Sequence, residues 1–245
     1  WGWPKSPDAV QAFAEFCGFF AKNRKDPAPR LYQVWNEWDA RTTEGDARSY
    51  AKLLEASSRK IRENDPEAVV ISNSFCQGPR SLEQALKNGI LKHCDGIAYH
   101  VYPSESESLF PDRQTPEAYV EHIREILRLV RRYNGGKAKD LYLTETGWPN
   151  YANAKGNREE WTGDCIARTY LLIRTLPEVK GLWWYQFHDG RYRSESREAN
   201  FGLLRADLTP KDAYASFRSI AEIVKQGEFL EKVSVPDPEL MVLKF

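Results

Sequence analysis

Apolar positions along this chain switch repeatedly between two periods. Ser6-Pro7 is a cap followed by a first-turn proline, and Val10, Phe13, Ala14, Cys17, Phe20 and Ala21 then recur at helical spacing. Leu31 to Trp35 is a short apolar run that reads as a strand. Ala47 to Arg62 is helical, with Tyr50, Ala51, Leu54 and Ile61 on one face, and Ala68 to Ser72 is a strand. Leu82 to Asn88 is a short helix ending near Gly89, and Asp95 to Tyr102 is the next strand. Thr115-Pro116 repeats the cap-then-proline signal before a long helix through Tyr119, Ile123, Ile126, Leu127 and Val130, which stops at Gly135-Gly136. Leu141 to Thr144 is a strand, Glu159 to Leu176 a helix, Lys180 to Phe187 a strand, and Thr209-Pro210 opens a last helix to about Val224. The tail from Gly227 to Phe245 contains valines and prolines and has no clear period.

Five strands thus alternate with helices. Their near-continuous apolar character implies a sheet buried on both faces, hence parallel βα units. A doubly wound sheet and a β/α barrel both fit that pattern. Neither GxGxxG nor GxxxxGK[ST] occurs, so a nucleotide-binding fold would lack its phosphate loop. In a barrel, chemistry gathers at the C-terminal ends of the strands. Here those ends carry Asn36-Glu37, Asn73, His100 and Tyr102, Glu145, and Gln186 with His188. Hydrogen-bonding groups at every predicted strand end favour one shared site.

Composition narrows the function. The 245 residues are enough for one large domain or two small ones, and 41% hydrophobic residues can fill a sizeable core. Lys+Arg and Asp+Glu both count 35, which argues against nucleic acid as a partner. Eight Trp and twelve Tyr supply either a large aromatic core or flat stacking platforms for sugars or bases. Cys17, Cys76, Cys94 and Cys165 form no CxxC and no zinc-finger spacing with His, so no metal or cofactor is expected and core thiols are favoured over disulfides. No apolar run approaches the ~18 residues of a membrane span. No leader is visible, and the first residues read as mid-domain sequence.

The strand that should end at Trp35 runs into Asn36, Glu37, Trp38 and Asp39, a carboxylate between tryptophans. Three βα units later, Glu145 ends another strand beside Trp148. Barrel strand ends three units apart face each other across the mouth, and two facing carboxylates can hydrolyse a glycoside. One gives its proton to the leaving oxygen; the other, ionised, attacks the sugar carbon. A separation of about 5–5.5 Å would mark a retaining pair and about 6.5–9.5 Å an inverting one.

The segments WNEW (35–38), IAYHVYP (97–103), LTETGWP (143–149), GLWWYQF (181–187) and NFGLLRADLTPKDAY (200–214) together resemble the large clan of (β/α)8 retaining glycoside hydrolases, family-39-like or related members. The resemblance covers roughly residues 30 to 220. It implies a TIM barrel, with Glu37 as acid/base at the end of strand four and Glu145 as nucleophile at the end of strand seven. It also implies that Asn36 binds the sugar 2-hydroxyl and that Tyr102 or His100 orients Glu145. Trp184 or Trp183 would be the stacking platform, since alternation lets only one point inward. Trp38 and Trp148 would line further subsites, with loop packing as their alternative, and His188 and Asp189 would belong to the rim or to a loop. The stretch 103–113 would be a loop on the active-site side. The substrate would be an oligo- or polysaccharide, with endo action slightly favoured by the aromatics flanking both glutamates, and the location secreted or periplasmic.

A full barrel has eight strands, and five are read here. Residues 1–226 would be a catalytic barrel from about the third helix onward, lacking its first three strands, and 227–245 a tail or the start of an accessory segment. The barrel would be completed by a longer gene product, by a homo-oligomer pairing across the gap, or by the tail itself, in that order of preference. Two other functions remain open. One is a carbohydrate-binding protein of the same fold with little hydrolysis. The other is an α/β enzyme using Glu37 and Glu145 as metal ligands.

Overall fold

The computed structural model describes residues 2–25, 30–40, 46–103, 115–151, 157–190, 195–237 and 239–245. In chain order these form helix α1 (Pro7–Asn23), strand β1 (Leu31–Gln33), α2 (Ala47–Asn64), β2 (Val69–Phe75), α3 (Pro79–Lys87), β3 (Gly96–Val101), α4 (Pro116–Tyr133), β4 (Asp140–Thr146), α5 (Glu159–Ile173), β5 (Val179–Trp184), α6 (Asp212–Gln226), β6 (Glu231–Val233) and β7 (Val242–Lys244). The loop expected over 103–113 lies outside the described residues except for Pro103.

Strands β1 to β5 make one sheet whose spatial order is the chain order, β1-β2-β3-β4-β5. β1 pairs in parallel with β2, and β2 with β3. A doubly wound sheet reverses its strand order at a switch point; this one does not reverse. The class is therefore α/β of the TIM-barrel type, with five of the barrel's strands on this chain.

The chain forms two compact units, Trp1–His100 with Glu125–Thr144, and Val101–Arg124 with Glu145–Phe245. In the first unit, Ser6 caps α1 through its Oγ, which accepts from Ala9 N at 3.2 Å. The buried face of α1 is not the one its bulky residues suggest. Ala14, Gly18 and Ala21 are buried, whereas Phe16, Phe19 and Phe20 are more than half exposed. The reason is a close helix crossing: a Cβ on Gly18 would sit 3.2 Å from Lys60 O, so small residues form the seam with α2. α2 answers with Tyr50, Leu53, Leu54, Ser57, Ser58 and Ile61. Every residue of β2 after Val69 is buried, as expected of an interior parallel strand. Ile71, Ala98 and Tyr142 pack together with Leu31 against them.

In the second unit, Ile166 and Tyr170 of α5 pack on Leu203 and on Ala213 and Ile220 of α6, with Leu182 and Trp184 of β5 alongside. Two expectations need correction here. β5 ends at Trp184 rather than Phe187, and the Tyr185–Gln186 peptide beyond it is cis. The last helix starts at Asp212, not at Pro210. Thr209 is consumed by Asp207, whose carboxylate accepts from its N–H and hydroxyl, and Arg205 N donates to Thr209 O. These bonds close a tight loop, and Glu159 caps α6 instead by accepting from Asp212 N at 3.1 Å. The tail forms an antiparallel hairpin of β6 and β7.

The four cysteines are free thiols. Burial pushes Cys94 and Cys165 up to about 12, so both are inert thiols at neutral pH.

Gly96 supplies a sensitive test of the sheet. A Cβ there would lie 2.5 Å from the Tyr142 ring and 3.0 Å from Asp140 O, so β4 approaches β3 too closely for any side chain. Gly96→Ala is expected to cost about 1–3 kcal/mol through overpacking, read as a lower urea midpoint. An unchanged midpoint would show that the strands separate freely at this point.

Candidate active site

Glu37 stands just beyond β1 in a turn of unusual backbone. Trp35 and Glu37 have φ of 75° and 46°, a left-handed region that disfavours side chains. Such residues cost of order 1–3 kcal/mol each and persist only where the surroundings over-determine them. The end of β2 does that. Val34 N donates to Ile71 O at 3.1 Å, Glu37 N donates to Ser74 Oγ at 3.1 Å, and Trp38 N donates to Asn73 Oδ1 at 2.8 Å. Ser74 Oγ also donates to Asn36 Oδ1 at 3.0 Å. From behind, the buried Tyr50 hydroxyl donates to Val34 O at 3.2 Å and accepts from Asn73 N.

The Glu37 side chain is 32% exposed and meets a buried imidazole: His100 Nδ1 lies 2.8 Å from Glu37 Oε1. His100 Nε2 lies 3.1 Å from Thr144 Oγ1. Because a hydroxyl can donate or accept, Thr144 satisfies Nε2 in either tautomer.

Glu145 is the second-to-last residue of β4. The Tyr102 hydroxyl donates to its Oε2 at 2.6 Å, a short charge-assisted bond. Tyr102 itself is fixed edge-on by Tyr185 and Phe201, with ring centroids at 6.0 and 5.3 Å, and the Arg197 guanidinium lies over its ring at 5.8 Å. Thr146 Oγ1 donates to Val101 O at 2.8 Å, holding the strand end beside Tyr102. A side chain on Gly147 would collide with Tyr185 O at 2.5 Å, so the chain beyond the glutamate must be glycine.

The remaining predicted positions divide. Asn36 is exposed, and its Oδ1 accepts from Ser74 Oγ. Trp184 is half-buried, stacked on Trp148 at 5.8 Å and 18°, and its Nε1 donates to Phe201 O at 3.0 Å. Trp183, on the other side of the strand, is 45% exposed and folds over Gly181. Trp38 and Trp148 are core residues, 2% and 1% exposed. Trp38 packs against Trp3, Trp35 and Tyr50, and Trp148 supports Trp184 from behind. His188 is exposed, its Nδ1 at 2.8 Å from Asp189 O. Asp189 is buried and paired with Lys211 Nζ at 2.6 Å; that ammonium also donates to Asn150 Oδ1 at 2.7 Å. The pair ties the loops after β4 and β5 to the start of α6. Ser74, Thr144, Tyr50 and Lys211 escaped the sequence reading, because an isolated serine, threonine, tyrosine or lysine carries no spacing signal of its own.

No family model matches the chain, and no curated protein does. Solved structures match it well. A family 39 glycoside hydrolase from the gut symbiont Bacteroides cellulosilyticus WH2 superposes with a TM-score of 0.75 at 23% identity, over 98% of this chain and 50% of that one. A glucosidase from Croceicoccus marinus gives 0.72 at 12% identity, over 91% and 48%. A monomeric β-xylosidase from Caulobacter crescentus CB15 gives 0.62 at 16%, over 87% and 46%. The chain has the fold of these glycoside hydrolases and spans about half the length of each. Among the described residues no helix is long and apolar enough to cross a membrane.

Lys211 is 3% exposed, and burial holds its ammonium below the usual range while Asp189 works against that shift. Lys211→Met leaves Asp189 buried without its counter-charge and is expected to cost about 3–5 kcal/mol. Adding Asp189→Asn should restore part of the loss. Equal urea midpoints for parent and Lys211→Met would show that the pair contributes nothing.

Proposed function

We propose that this chain carries both catalytic carboxylates of a retaining glycoside hydrolase acting on an oligo- or polysaccharide. The observation that carries the reading is that each of the two glutamates has a side-chain partner of its own. His100, in β3, holds Glu37, and Tyr102, just beyond that strand, holds Glu145. The likeness to three glycosidase structures supports the same reaction class.

In this reading the Glu145 carboxylate attacks the anomeric carbon. The glycosidic C–O bond breaks, and its oxygen takes the proton from Glu37. Water then attacks the glycosyl–Glu145 ester, gives its proton to Glu37 and frees Glu145. Asn36 Nδ2 would donate to the sugar 2-hydroxyl, and Trp184, braced by Trp148, would support the sugar beside the cleaved bond. Trp38 and Trp148 are buried, so they offer little ring surface to an extended cleft.

Glu145→Gln is expected to lower kcat by about 10⁴-fold or more, and the parent to release sugar with retained anomeric configuration by NMR. Inverted product, or an active Glu145→Gln variant, would sink the proposal. Turnover should also survive a chelator. Oligosaccharide binding by calorimetry without release of reducing ends would favour the binding-protein alternative.

A further inference from the structure

We propose that Ser74 is a positioning residue for the acid/base: its hydroxyl aims the Asn36–Glu37 pair. This rests on the assignment of Glu37 as acid/base. Ser74 lies near the end of β2 and is fully buried. A serine hydroxyl offers one donor and two acceptor sites. Here the donor goes to Asn36 Oδ1 at 3.0 Å, and an acceptor site takes Glu37 N at 3.1 Å. Asn36 and Ser74 also form an isolated parallel bridge, so β2 reaches past the end of β1 to hold this turn. Among the bonds gripping residues 34–38, the other two from β2 hold Val34 and Trp38, which flank the site residues. Ser74 touches both residues of the pair.

The consequence is directional. The bond to Asn36 Oδ1 sets the orientation of the amide. The bond from Glu37 N sets a backbone at φ 46°, from which the carboxylate reaches His100 Nδ1 at 2.8 Å. Without the hydroxyl, Glu37 N loses its acceptor and the turn can relax toward ordinary φ, carrying the carboxyl away from the imidazole. Proton delivery to the leaving oxygen then suffers, because a reacting group misplaced by about 1 Å can cost on the order of 10²-fold. A serine that merely satisfies buried polar groups would instead affect all substrates alike.

The experiment compares parent, Ser74→Ala, Ser74→Cys and Glu37→Ala. Each is assayed on phenyl and 2,4-dinitrophenyl β-glucosides or β-xylosides, whichever pair the parent cleaves, with kcat and KM separated. A dinitrophenolate leaves without a proton; a phenolate needs one. Ser74→Ala is expected to lose at least about ten times more kcat/KM on the phenyl than on the dinitrophenyl glycoside, with Ser74→Cys in between. Equal losses on both substrates, or no loss, overturn the inference. If Ser74→Ala shows no cooperative melt, the same ratio measured on Ser74→Cys, which keeps the volume and weakens the donor, decides. Glu37→Ala separates the two claims. If it shows no leaving-group discrimination, the acid/base assignment falls. If it discriminates and the Ser74 variants do not, the inference about Ser74 alone falls. A parent that cleaves neither glycoside overturns both.

Discussion

The turn that leaves β1 cannot hold itself. Trp35 and Glu37 occupy a backbone region that side chains disfavour, and the turn survives because the end of β2 offers it acceptors and donors at the right heights. Ile71 O, Asn73 Oδ1 and Ser74 Oγ take up the backbone N–H groups of Val34, Trp38 and Glu37. Parallel pairing makes this possible. Adjacent parallel strands end at the same edge of the sheet, so the last residues of one strand can grip the turn leaving its neighbour. The same arrangement recurs in the second unit, where Tyr185 N donates to Thr146 O at 2.8 Å just past the end of β5.

Each glutamate has a partner of a different kind. An imidazole backed by a hydroxyl, which can donate or accept, meets Glu37. A phenol donates to Glu145 Oε2 at 2.6 Å. The tryptophans follow the same economy of roles. Trp38 and Trp148 are core side chains, and Trp184 donates its indole N–H to Phe201 O, which sets its ring orientation.

Much of this was legible in the residues. Short apolar runs and helical-period runs marked all five parallel strands and the helices between them, because a strand buried on both faces is apolar throughout and the turn of a helix imposes its spacing on whatever must be buried. Glu37 and Glu145 stood out because a carboxylate at the end of an apolar strand is costly without a use. The start of the last helix was misplaced because a local competitor, Asp207, took the threonine that would have capped it. On the α1 face marked by periodicity, Ala14 and Ala21 are buried but Phe20 is exposed, because a close crossing rewards small residues over large ones.

Local periodicity therefore marked which segments are strands and which two acids near their ends to suspect. It could not settle that His100 meets Glu37 while Tyr102 meets Glu145, that Ser74 holds the Asn36–Glu37 turn, or that Trp38 is buried while Asn36 is exposed. Those outcomes depend on residues far apart in the chain arriving at hydrogen-bond distance. Strand register and helix packing choose such partners, and a sequence pattern repeating every two or four residues carries no record of them.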